Sequence, residues 1–181
     1  MSTLPTASEI VDFWRQAGPQ AWFSRDAAFD DRLREHFLAA HMAAARRELD
    51  AWIESAEGAL ALMILLDQFP RNCFRGTAHM FATDQLALRL ARAALARGLD
   101  QQVEASLRLF FYLPFEHSED LDDQRIAVER CAPLGDPFDR YAQIHLDVIE
   151  RFGRFPHRNA AFGRDTTPEE QAFLDAGGFA G

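Results

Sequence analysis

Lysine is missing from this 181-residue chain; all 19 basic residues are arginine. Without an amine there is neither Schiff-base chemistry nor a phosphate loop of the Walker type, because both need a lysine at a fixed place. Cysteine is nearly missing too. Cys73 and Cys131 stand alone without Cys-x-x-Cys spacing, which argues against a disulfide scaffold and a cysteine-rich zinc site. No apolar run approaches the roughly 18 residues of a membrane span, and Met1-Ser2-Thr3-Leu4-Pro5 shows no basic stretch leading into an apolar one. Net charge is −9 with no basic stripe, so neither nucleic acid nor an anionic membrane is expected as the main partner. A cytoplasmic location is the expectation. With 48% apolar residues the chain is rich enough for one substantial core, and a single domain over 1–181 is the most economical reading.

Strand-like alternation between hairpin turns is also lacking. What is present is helical periodicity nearly throughout. Ser8 is placed to cap a first helix carrying Ile10, Phe13 and Trp14, and Asp30 a second with Leu33, Phe37 and His41 on one face. Ser55 opens a stretch from Glu57 to Phe69 that is apolar on every side, the pattern of a central buried helix. Thr83 precedes Asp84 to Arg97, which Gly98 ends. Asp100 is read as the cap of Gln101 to about Leu113, Ser118 of Glu119 to Cys131, Asp136-Pro137 as the start of a helix to Phe152, and Thr167-Pro168 of a last short one. The fold class expected is all-α, an antiparallel helix-hairpin array.

Three dense strings interrupt this pattern. Phe69-Pro70-Arg71-Asn72-Cys73-Phe74-Arg75-Gly76 is echoed by Phe155-Pro156-His157-Arg158-Asn159, and Leu113-Pro114-Phe115-Glu116-His117-Ser118-Glu119-Asp120 lies between them. Pro70 should end its helix, leaving Arg71 onward in a turn. Arg71, Arg75 and Arg158 offer planar guanidinium donors suited to a carboxylate or phosphate. The bland alternative is that they satisfy helix-end carbonyls while Phe69 and Phe74 fill core. Glu116 and His117 could form an acid/base pair, although sequence neighbours on a helix diverge. Ser118 to Asp120 look first like a helix start. His41 and His145 fall on apolar faces and read as hydrogen-bonded core residues; His36 and His79 have no evident companion. Metal motifs such as His-Glu-x-x-His are absent, so no metal and no cofactor are expected. Two arginines beside Cys73 could lower its pKa, but a small apolar filler is the better role.

The strings Leu65-Leu66-Asp67-Gln68-Phe69-Pro70-Arg71-Asn72, Phe74-Arg75-Gly76, Phe81-Ala82-Thr83-Asp84, Tyr112-Leu113-Pro114-Phe115-Glu116-His117-Ser118-Glu119 and Arg151-Phe152-Gly153-Arg154-Phe155-Pro156-His157-Arg158-Asn159 occur in that order. In them the chain resembles a bacterial domain-of-unknown-function family, number nine-two-four, from about Ile10 to Phe179. The resemblance implies a tetratricopeptide-like helical fold and no settled activity. Its recurring positions fall on Asp67, Gln68, Arg71, Asn72, Arg75, Gly76, Glu116, His117, Ser118, Glu119, His157, Arg158 and Asn159.

Three readings of function stand open. In the first, Arg71, Asn72, Arg75, Glu116, His117, Glu119, His157, Arg158 and Asn159 form a site for a small anionic molecule or peptide group. The arginines clamp, the amides and His157 orient, and Glu116 is the counter-charge. In the second, a metal-independent hydrolase or transferase uses Glu116 or His117 as acid/base. In the third, the polar strings lock helices together in an interaction scaffold. All are stated for a chain whose oligomeric state the sequence leaves open.

Overall fold

The computed structural model describes residues 4–181; Met1-Ser2-Thr3, read above for a leader, lie outside the described residues. The chain is all-α, with no strand among the described residues. It divides into two compact units, Met1–Pro114 and Phe115–Gly181. Among the described residues no helix is long and apolar enough to cross a membrane.

The first unit holds α1 (Ala7–Trp22), α2 (Ala27–Ala45), α3 (Ala56–Met63), α4 (Phe69–Cys73) and α5 (Asp84–Ala96). The caps of α1 and α2 lie two and four residues before the expected Ser8 and Asp30, whereas α3 and α5 begin where expected. The α1 cap is Thr6, which shares a reciprocal capping box with Glu9, and the α2 cap is Asp26, whose carboxylate accepts the Ala28 and Phe29 N–H groups. Asp30 is thereby left for another task. Ser55 does cap α3, accepting the Gly58 N–H at 3.1 Å. Gly58 is required there: a Cβ would lie 2.2 Å from the Trp52 carbonyl oxygen. Every residue from 58 to 70 is buried, as the all-round apolar pattern requires, with α1 and α5 packed against α3.

One expectation fails at Pro70. The helix does not end there. It widens into a π-helical turn over Ile64–Gln68, in which the Phe69 N–H reaches back to the Ile64 carbonyl, and then continues as α4 with Arg71 inside it. The shifted register and the missing Pro70 N–H strand two carbonyls, those of Leu65 and Leu66. Side chains take them over: His41 Nδ1 donates to Leu65 at 2.9 Å and Thr83 Oγ to Leu66 at 2.5 Å. Thr83 therefore caps no helix N–H; its hydroxyl points back to α3 and α4.

After Gly98, which takes a positive φ of 64°, the single helix expected from Asp100 is instead two short 3-10 turns followed by α6 (Leu109–Glu116). Asp100 is buried and accepts from the Tyr112 hydroxyl at 2.9 Å and the Gln101 amide at 2.6 Å, so its carboxylate is not at a helix start.

The second unit contains α7 (Leu121–Cys131), α8 (Phe138–Phe152) and α9 (Pro168–Asp175), with α7 packed along α8. Its apolar heart is Val148, Ile149 and Phe155, joined by Phe152, Phe173 and Phe179. The α7 cap is Asp120 rather than Ser118, and α8 begins one residue after Pro137. Thr167 caps α9 as expected, with Glu170 closing the box.

Candidate functional site

Two polar clusters are built into the units, one in each. In the first, Arg71 points from α4 to the start of α5. Its Nη1 and Nη2 meet the two Asp84 oxygens at 2.9 and 3.0 Å, and Nη1 also contacts the Asp67 carboxylate at 3.2 Å and carbonyl at 2.9 Å. Asp67 is fully buried and takes the Gln68 amide at 2.7 Å. Arg75 grips Asp30 through both carboxylate oxygens at 3.1 and 3.3 Å and donates to Asn72 Oδ1 at 2.6 Å. Arg71, Asn72 and Arg75 are thus brought together, with carboxylates of their own unit already on both guanidiniums.

Beside them lies a pairing the sequence did not reveal. His79 has a companion after all: its Nε2 is 2.9 Å from His41 Nε2. Because His41 gives its Nδ1 proton to Leu65, its Nε2 accepts and His79 donates. Burial lowers the His41 pKa, opposed by the Leu65 carbonyl and reinforced by charge on His79. Cys73 shows the same dominance of burial, which pushes its thiol up to about 12 against the pull of Arg34 and Arg75. A thiol so shifted stays protonated at neutral pH, in keeping with a packing role.

In the second unit the end of α6, the loop after it, α8 and the 3-10 turn Pro156–Arg158 converge. Gln124 on α7 anchors the loop, its amide donating to the carbonyls of Glu116 at 2.7 Å and Ser118 at 2.6 Å. Ser118 is held between α7 groups, donating to Asp123 at 2.8 Å and accepting the Asp120 N–H at 3.2 Å. Thus fixed, Glu116 reaches the imidazole of His145, Oε1 to Nδ1 3.0 Å, while the same nitrogen lies 2.8 Å from the Tyr141 carbonyl. Both acceptors assign the His145 proton to Nδ1 and leave Nε2 as a lone-pair nitrogen.

Around this pair stand the potential cations. The His117 ring lies 6.1 Å from that of His145. Arg158 is buried, stacks 4.4 Å above Phe155 and donates to the His117 carbonyl at 2.9 Å. His157 faces Phe155 at 5.7 Å. Burial, then the charges of His117, Arg158 and His157, drive the His145 pKa down to about 3, against the Tyr141 carbonyl.

Glu119 and Asn159 hold the frame. Burial works against ionisation of Glu119, but Arg164, bound through both oxygens at 3.0 and 2.8 Å, and the Phe155 N–H at 2.9 Å keep its pKa low. Asn159, fully buried, donates to Thr166 and to Glu170, and Glu170 is clasped by Arg154 at 2.6 and 2.8 Å. Glu116, His117, Glu119, His157, Arg158 and Asn159 therefore belong to one neighbourhood of the second unit. The sequence did not mark His145, Asp84, Asp30 and Glu170 as partners in these clusters, their only signal being polarity on an otherwise apolar or capping position, and Phe179 carried no signal of that kind. The echo between the two Phe-Pro strings does not extend to conformation, since the first continues a helix and the second is a short 3-10 turn after an extended Phe155. Among the described residues no group of three or more His, Cys, Asp or Glu could hold a metal.

Fold and site together define an all-helical protein in which five of the six histidines, all but the exposed His36, stand in the two polar clusters. The chain belongs to the family described as bacterial proteins of unknown function (DUF924), whose pattern spans residues 10–178. It is similar to a solved protein of unknown function from Agrobacterium tumefaciens, at 58% identity and a TM-score of 0.92, covering 94% of this chain and 97% of that one. No curated protein matches.

Proposed function

We propose that this protein binds a small anionic group at the second-unit cluster, with His117, His157 and Arg158 as its receiving residues. The observation that carries the reading is geometric: the His117 ring lies 6.1 Å from that of His145, and Arg158 and His157 flank the Phe155 ring that packs on His145 at 5.6 Å, so three potential cations gather about one buried imidazole. Such a field favours an incoming negative charge as strongly as it disfavours another positive one. Glu116 is the counter-charge that keeps the cluster from repelling itself, and Glu119 and Asn159 keep the two loops in register. Arg71, Asn72 and Arg75 drop out of the clamp in this reading, because the carboxylates of Asp84, Asp67 and Asp30 already engage the guanidiniums.

Those same ion pairs favour a second reading for the first unit alone: the Phe-Pro-Arg-Asn string there is a fold-locking device. The acid/base reading of Glu116 and His117 has less behind it. The Glu116 carboxylate is already engaged by the His145 imidazole at 3.0 Å.

Thermal melts with and without inorganic phosphate or citrate test the proposal. The anion should raise the melting temperature of the wild type, and His157→Ala, a half-buried position, should lose that rise while keeping its own fold. A rise of equal size in the variant would overturn the assignment.

A further inference from the structure

We infer that residues 177–181 form a latch over the Glu116–His145 pair, with the Phe179 ring as its head. The proposal rests on the same second-unit cluster and adds how that cluster is closed. After α9 the chain leaves regular structure. Gly177 turns it with a positive φ of 78°, and its N–H still bonds the Leu174 carbonyl at 3.0 Å. Gly178 donates to the Phe173 carbonyl at 2.9 Å and runs so close to the Phe173 ring that a Cβ would sit 2.5 Å from it. Two adjacent glycines thus set the exit direction, and they are also the residues that swing most cheaply.

Beyond them Phe179 seats itself by ring contact. Its centroid is 4.2 Å from that of His145, 5.4 Å from His157 and 6.1 Å from Phe155. Two of those rings belong to the polar cluster, and the third carries Arg158 on its face. Phe179 therefore packs on the His145 ring, the nearest of the three rings it meets, and adds to the burial of that imidazole. Moving this ring would expose more of the imidazole. The seat lacks the neighbouring turns that hold a helical residue in place, and opening it has to release the approach of Gly181 to the His157 ring as well as the burial of the Phe179 ring.

Ethoxyformylation by diethyl pyrocarbonate, mapped peptide by peptide on the full-length protein, reads the accessibility of each imidazole. Two variants open the latch by different means: Phe179→Ala removes the ring, and Gly178→Ala dislodges the segment by meeting Phe173. In both, His145 should react about tenfold faster than in the wild type, the change expected when most of one ring's burial is lost. His41, buried in the first unit, is the internal control and should keep its rate. The imidazole titration of His145 should rise from about 3 towards the ordinary range in the same variants. Unchanged His145 reactivity in both variants would overturn the latch, and so would a matching acceleration of His41, which signals general loosening. Neither outcome bears on anion-induced stabilisation, so failure of the latch and failure of the binding site remain distinguishable.

Discussion

Arg71 illustrates how a residue that looks like a ligand clamp becomes a structural part. Its side chain is 13% exposed and that of Asp67 1%, so the pair sits where one charge cannot be left alone. Removing one partner of such a pair costs about 3 kcal/mol, because the other stays buried and uncompensated. Arg71→Ala should lose about that much in urea unfolding. Adding Asp67→Asn should recover part of it, so the double variant falls short of the sum of the single ones. Strict additivity would mean that the two do not interact, and would leave the Asp84 pair as the structural role of Arg71.

At the scale of elements, the parts of the sequence that obey periodicity were the legible ones. The buried α3, the Gly98 stop, the α9 capping box and the absence of strands all follow from local rules that tertiary contacts do not oppose. Three boundaries moved because a carboxylate or hydroxyl had a stronger partner elsewhere: Asp30 in Arg75, Asp100 in Tyr112 and Ser118 in Asp123. Thr83 keeps its place before α5, with its hydroxyl turned to the Leu66 carbonyl. Pro70 deceived for a related reason. A proline ends a helix when the freed carbonyls find only apolar surroundings, and here His41 and Thr83 reach them. No spacing rule encodes that, since His41 lies on α2 and Thr83 precedes α5. The site was half legible. Glu116, His117, His157 and Arg158 stood out as unusual strings, whereas His145 was hidden by its ordinary place on an amphipathic helix.

For the molecule as a whole, the buried histidines fix how stability changes with acid. In the unfolded chain both His41 and His145 protonate near about 6.5. Folded, both are held lower by burial, His145 at about 3. The unfolded state therefore takes up more protons as pH falls, so stability is full above about 6.5 and declines below it, by up to about 1.4 kcal/mol per pH unit for each histidine. Glu170 acts in a separate window. Arg154 hydrogen bonds first of all hold it at about 2, so its contribution is present above about 4.5 and fades as pH falls towards 2. Urea unfolding between pH 7 and 5 isolates the histidines. His145→Gln should flatten that dependence, and an unchanged slope would show that His145 is not kept neutral by the fold.

The most direct measurement is a phosphate titration of the full-length protein followed through its assigned histidine ring signals by nuclear magnetic resonance. Anion binding at the second-unit cluster predicts that the His117 and His157 signals shift together along one saturable curve while those of His36 and His79 stay still. If the signals of His117 and His157 do not move, or if all the histidines drift alike without saturation, the anion site does not exist.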